Sequence, residues 1–369
     1  MALVPISRRA LSWAVAESGI PKTSLDTLLR VPIGTVESWI EGDDQPNQSQ
    51  FKRLKERLRR PAAIFFMETP PATAESAVAM RFGFGATGRA RTPKERLVIR
   101  DSLRVRDFVS DLRDELGRRQ MNVPTYSTNE SPERVASAVR QEFFGISVED
   151  QMSWKTPTEA FRKWRSLIER MDILVFLYPI GEDSARGFSF ATQPPPVIGV
   201  SSTWDATVRV YTLFHELGHI LTRTNSSCVE DLVKGVSIDP IERWCENFAA
   251  SFLMPRPEIE KLTSQNQATD PIASATRIAN KLFVSRKSAL LRLVEIGHAN
   301  WDDFRRLQSK YEKKKSGGRP DSSQKRSRDV ARRDTYGGCL SIVDDAYKAG
   351  FVSESDIRTY LRMYPNELN

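Results

Sequence analysis

The sequence predicts an α+β fold that is mostly helical. It comprises a helical N-terminal unit, a larger domain with a small three-stranded sheet among its helices, and a C-terminal helical extension. Three observations predict it. Apolar residues recur at helical spacing through most of the chain. Between residues 171 and 202 the pattern changes to three short apolar or alternating runs separated by Gly and Pro, as in strands. A strongly basic run from Lys310 to Arg333, with ten basic and three acidic residues, separates the last helices from the rest.

At 369 residues the chain is long for one core and suits two or three domains. Its net charge of +8 sits mainly in the basic run, so the high pI describes a linker more than a basic folded face. That weakens the case for nucleic acid as a general partner. No apolar run approaches the ~20 residues that span a bilayer. The opening MALVPISRRALSWAVAESG lacks the continuous apolar core of a signal peptide. Cys228, Cys245 and Cys339 form no CxxC pair and are odd in number, which fits a reducing compartment. The expectation is a cytoplasmic protein with no membrane partner.

Residues 1–70 read as short helices joined by tight turns, a helix-turn-helix type of domain. Gly19-Ile20-Pro21, Pro32 and Gly42-Asp43-Asp44 break the runs, and Pro32 is placed to open a helix carrying Val36, Trp39 and Ile40. That helix, PIGTVESWIEG, bears Glu37 and Glu41 and no basic residue. Acid facing phosphate is repulsive, so a structural or protein-binding role is favoured over DNA binding. The main domain is expected over 90–300. It begins with a long charged helix at 92–120 that packs through Ile99, Leu103, Val109 and Leu112. Two further helices follow, with Ser131 and Thr156 or Thr158 as N-caps. The strands are expected within 171–180, 186–193 and 195–202. The prolines of PPVIGVSS suit an edge strand, to which an extended peptide can add. Helices resume near Asp205 with TVRVYTLFHELGHILTRT and continue through PIERWCENFAASFLMP to about 310. A disordered basic linker over 310–334 and a small helical segment over 335–369 complete the expectation.

The chain has three histidines, and two of them, His215 and His219, lie four apart in FHELGHI. On a helix that spacing puts both imidazoles on one face, one turn apart, where they can reach one ion. Glu216 is rotated by about 100° and cannot join them on that face, but it can reach a water beside the ion. That is the division of labour of HExxH zinc hydrolases: two His ligands and a glutamate general base. Gly218 leaves room for another backbone to pack close to this helix. A third ligand must come from elsewhere. Thr222 and Asn225 stand where a metzincin needs Gly and His, which excludes that class. His298 is far downstream, and Cys228 is an unusual hydrolytic ligand. The acidic candidates are Glu230, Asp231, Glu242 and Glu246. Glu242 leads and Glu246 is second, because both begin a helix whose same face carries the small residues Ala249 and Ala250.

YTLFHELGHIL followed by E-x-x-C and FAASFLMP resembles the ImmA/IrrE family of zinc metallopeptidases. The resemblance covers about residues 1–300, and more loosely 335–369. It implies a zincin-like peptidase domain behind an Xre-type helix-turn-helix region. It also implies Zn²⁺ held by His215, His219 and Glu242, with Glu216 as the catalytic base. Glu246 stands where the family usually has Asn. Arg209 matches an arginine frequent ahead of the family's metal helix. The resemblance further implies a protein substrate, a helix-turn-helix transcriptional repressor, whose cleavage relieves repression. The competing reading is a DNA-binding regulator or antitoxin-like interaction module whose metal site is a sensor or a relic.

Overall fold

The structure, a computed structural model, describes residues 3–70, 92–118, 122–181, 184–224, 226–228, 239–264, 270–315 and 328–368. The chain divides into two compact units, Met1–Asp101 and Ser102–Asn369.

In the first unit lie α1 (Arg8–Ser18), α2 (Lys22–Leu29), α3 (Thr35–Glu41), α4 (Gln48–Leu58) and a 3₁₀ turn at Ala62–Phe66. Its core gathers Leu11, Ala14, Leu25, Leu29, Trp39 and Leu54, each fully buried. Helices this short need their ends satisfied. The Ser7 hydroxyl accepts from the Ala10 amide, and Asn47 and Gln50 form a capping box on α4. The start of α3 is held from a distance. The Asp26 carboxylate on α2, 1% exposed, accepts from the amides of Gly34 (2.8 Å) and Val36 (2.9 Å). Pro32 does not open α3 as expected. It begins the preceding turn, where its carbonyl accepts from the Thr35 amide, and Gly34 is the N-cap residue. The long helix α5 (Pro93–Glu115) starts in this unit and ends in the next.

The second unit continues with α6 (Pro132–Val139), which runs into one π turn (Arg140–Phe144), then α7 (Val148–Met152) and α8 (Pro157–Glu169). Ser131 and Thr156 are the caps, the latter accepting from the Glu159 amide. Strands β1 (Leu174–Tyr178), β2 (Gly187–Phe190) and β3 (Val197–Ser201) fall inside the three expected runs. A fourth, β4 (Ser226–Cys228), was not expected. The sheet order is β1-β3-β2-β4, with β1 parallel to β3 and the other pairings antiparallel. This overturns the expectation that PPVIGVSS is an edge strand: β3 lies between β1 and β2, and every residue of it is buried. Its prolines precede the strand and form the turn into it, so they cost the ladder no donor.

Helix α9 (Ala206–Leu221) packs under the sheet, and α10 (Pro240–Leu253) packs against α9. The helices α11 (Arg256–Ser264), α12 (Pro271–Leu282), α13 (Arg286–Glu295) and α14 (Trp301–Lys315) follow. One apolar core joins these parts, centred on Trp164, Phe214 and Phe252, with the rings of Phe214 and Phe252 stacked 4.2 Å apart. Buried side chains bond the terminal carbonyls of α10. Arg140 Nη1 donates to Phe252 O (2.7 Å), Gln151 Nε2 to Leu253 O (3.3 Å), and Arg292 Nε to Met254 O (3.1 Å).

The last elements are α15 (Arg328–Tyr336), α16 (Cys339–Lys348) and α17 (Glu354–Leu361). The expected linker over 310–334 is helical at both ends, since α14 runs to Lys315 and α15 starts at Arg328; residues 316–327 lie outside the described residues. The segment after the linker docks on its own unit. The buried Arg165 guanidinium donates to Val175 O on β1, to Asp334 O (2.5 Å) and to Thr335 O (3.4 Å). Tyr336 packs edge-on against the fully buried Phe176. Arg104 on α5 donates to the carbonyls of Thr359 and Tyr360, and Phe108 stacks on Tyr360 at 4.0 Å. No described helix is long and apolar enough to cross a membrane.

Candidate metal centre

Helix α9 is apolar on nearly all sides, and from Arg209 to Leu221 every residue but Tyr211 is buried. A helix of that kind belongs inside a core, where a polar side chain must find a partner. His215 and His219 project from one face, with their Nε2 atoms 3.2 Å apart. Helix α10 starts with Asp239 as N-cap, accepting from the Ile241 amide (2.8 Å), and Pro240 in its first turn. Glu242 then points at the imidazoles. Its Oε2 lies 3.2 Å from His215 Nε2 and its Oε1 lies 3.5 Å from His219 Nε2. The Glu242 side chain is 30% exposed and His219 is 1% exposed, so the cluster meets solvent on the glutamate side.

Among the described residues, His215, His219 and Glu242 form a group that can hold a metal ion, each offering one atom with all three within 4.8 Å of one another. The donor set fits zinc: two imidazole nitrogens and a carboxylate oxygen leave one place open in a tetrahedral shell. Atoms about 2.0–2.1 Å from a shared tetrahedral centre stand about 3.3 Å apart, close to the nitrogen–nitrogen and nitrogen–oxygen separations found here.

The electrostatics agree with this packing. Burial lowers the His215 pKa, but the hydrogen bond it donates to Glu242 and the carboxylates of Glu216, Glu242 and Glu246 outweigh it, and the net shift is upward. Burial raises the Glu242 carboxyl, yet bonds to His215 and His219 hold it well below the usual carboxylate range. The site therefore concentrates negative charge around two buried imidazoles, an arrangement a cation relieves.

Two glycines set the distances. A Cβ on Gly218 would stand 3.1 Å from Cys245 Sγ and 3.2 Å from Cys245 Cα, so this glycine lets α9 and α10 close on each other, as its place in the motif suggests. A Cβ on Gly187 of β2 would lie 2.6 Å from Thr212 Cγ2 and 2.9 Å from Glu216 Oε1. The sheet thus comes down on the Glu216 carboxylate, which is fully buried one residue from the first histidine. Nothing in the motif marks Gly187, because the contact exists only once β2 and α9 have packed.

The other candidates fall elsewhere. Glu246 lies one turn beyond Glu242, where its backbone carbonyl accepts from the Tyr211 hydroxyl (3.1 Å), and it lines a separate cavity of about 1130 Å³ with Trp204, Tyr211 and Phe283. His298 is exposed in the turn after α13. Glu230, Asp231 and the side chain of Cys228 lie outside the described residues. The guanidinium of Arg209 sits 5.0 Å from the Phe161 ring, a cation–π contact that ties α9 to α8. A partner that the sequence reading missed is Thr224, whose Oγ1 is 2.9 Å from His219 Nδ1. Only the turn after α9 brings it there.

Residues 168–294 match the Peptidase_M78 family, the IrrE N-terminal-like domain. This stretch holds all three residues of the His-His-Glu group and Glu216. The match supports kinship with the ImmA/IrrE family over that part of the chain and suggests a metallopeptidase acting on protein. No curated protein matches the chain.

Proposed function

We propose that the chain is a zinc-dependent endopeptidase of the ImmA/IrrE type that cuts a helix-turn-helix transcriptional repressor in the cytoplasm and so relieves repression. The observation that carries the reading is the convergence of His215, His219 and Glu242 on one point, with Glu216 buried beside them. These three residues would hold the zinc. When bound there, zinc lowers the pKa of water toward about 7 and polarises the scissile carbonyl.

The chain's own residues account for the rest. Glu216 accepts the proton of the attacking water and returns it to the leaving amine, a contribution typically ~10²–10⁴-fold. Gly187 and the sheet keep bulk water from its carboxylate. With β3 interior, an extended substrate approaches from the β4 side, where β2 brings Gly187 to Glu216. The repressor as substrate comes from the family resemblance. A protein-binding role for the first unit is supported by α3, whose Glu37 is paired with Lys22 at 2.6 Å and which presents no basic side chain.

Metal analysis of the purified protein tests the site, and digestion of candidate helix-turn-helix repressors tests the activity. Near-stoichiometric zinc, with cleavage by the wild type but not by Glu216→Gln, supports the proposal. Absence of metal after zinc is supplied, or equal cleavage by Glu216→Gln, overturns it.

A further inference from the structure

Two hydroxyls behind His219 form a chain that ends on two backbone carbonyls. His219 Nδ1 is 2.9 Å from Thr224 Oγ1, Thr224 Oγ1 is 2.9 Å from Thr222 Oγ1, and Thr222 Oγ1 is 3.0 Å from the Gly218 carbonyl and 3.3 Å from the His219 carbonyl. A carbonyl can only accept. Thr222 has one hydroxyl proton, and two carbonyls of α9 lie within reach of it, the back-bond usual for a threonine at a helix end. With the proton placed there, Thr222 accepts in the pair of hydroxyls and Thr224 donates. Thr224 has no second proton to give, so His219 Nδ1 must carry a hydrogen and donate it to Thr224. The same holds if Thr224 gives its proton to the His219 carbonyl, which lies 3.5 Å away. Either arrangement leaves the lone pair of His219 on Nε2, the nitrogen that faces His215 and Glu242.

We infer that Thr224 and Thr222 form a hydroxyl relay, polarised by the C-terminal carbonyls of α9, that fixes the tautomer and ring orientation of His219 for metal binding. The inference rests on the proposed metal site and adds to it two positioning residues outside the HExxH spacing. The usual orienting partner of a metal-bound imidazole is a carboxylate, a backbone carbonyl or water. Here a neutral hydroxyl serves, and its direction is borrowed from the end of the helix that carries the ligand. The Gly218 and His219 carbonyls also accept from the amides of Thr222 (3.0 Å) and Thr224 (2.9 Å), and the second lone pair of each is what the Thr222 hydroxyl meets.

Zinc affinity by chelator competition, with the ¹⁵N-resolved signal of the His219 Nδ1 proton, tests the inference on the full-length wild type, Thr224→Val and Thr224→Ser. Valine keeps the volume and removes the hydroxyl; serine keeps the hydroxyl. The expected result is zinc binding weakened about 10–100-fold in Thr224→Val. Thr224→Ser should retain wild-type affinity, and the slowly exchanging Nδ1 proton should be present in wild type and Thr224→Ser but not in Thr224→Val. Thermal unfolding of the zinc-free proteins controls for folding. Wild-type zinc affinity in Thr224→Val, or an equal loss in Thr224→Ser, overturns the relay while leaving the metal site standing. A wild type that takes up no zinc overturns both.

Discussion

Two carboxylates near helix starts are used in opposite ways. Asp26 in the first unit is 1% exposed and faces two backbone amides, Gly34 and Val36. Its charge is consumed in starting α3. Glu242 in the second unit stands in the first turn of α10, which Asp239 already caps, and it faces two imidazole nitrogens. The helix does not need it. A buried acid matched by amide donors belongs to the fold, whereas an acid matched by groups that themselves prefer a cation belongs to a ligand site.

The comparison is sharpened most by Glu242→Gln, which keeps the size and removes the charge. Zinc affinity should fall by more than about 100-fold, beyond the usual loss from an outer partner, while Glu246→Gln keeps its zinc. Chelator competition measures both, and the zinc-free Glu242→Gln protein should stay folded, losing only the contact of the acid with the two imidazoles. Unfolding of the second unit in that variant would erase the distinction between the two acids. The reciprocal change is Asp26→Ala. It leaves two amides at the start of α3 unsatisfied and should destabilise the first unit by about 2 kcal/mol or more, read by denaturant unfolding, with zinc content unchanged. A smaller effect is expected from Gly218→Ala, whose added Cβ meets Cys245 atoms at 3.1–3.2 Å. Pushing α9 from α10 should cost about 1–3 kcal/mol and weaken zinc binding too, because the spacing of these helices sets the distance from Glu242 to the histidines. Lost stability with unaltered zinc affinity would show that the helix contact and the ligand geometry are independent.

The pair His215 and His219 was legible because helical periodicity alone puts residues four apart on one face. Glu242 was legible only as the better of two acids, since Glu246 shares its face; the choice depends on how far along α10 the histidines meet it, a tertiary distance. The three strands were visible as apolar runs, but their order was not. Prolines that read as an edge signal belong to the turn before β3, and the strand they introduce lies inside the sheet. β4, with the sequence Ser-Ser-Cys, has neither length nor apolar pattern and is a strand only because β2 is there to pair with it. Asp26 and Thr224 were missed for a shared reason: each acts on a backbone or a ring that lies elsewhere until the chain folds. The basic run misled through composition, because its charge suggested a loose linker throughout while α14 and α15 extend into it from both sides.

Arg165 has a practical consequence for anyone cutting this molecule into parts. The family match ends at residue 294, which invites a fragment that stops soon after it. Such a fragment would keep every metal-site residue and lose α15, the element whose carbonyls share the Arg165 guanidinium with β1 and whose Tyr336 covers Phe176. Among the described residues β1 is an outer strand of the sheet, and with α15 gone the side of β1 away from β3 and the Phe176 ring would lose their cover together. Exposed strand edges of that kind recruit one another. The smallest well-behaved fragment is therefore discontinuous in purpose though continuous in sequence: the His-His-Glu group ends at Glu242, and the seal that keeps the neighbouring sheet solitary arrives more than eighty residues later.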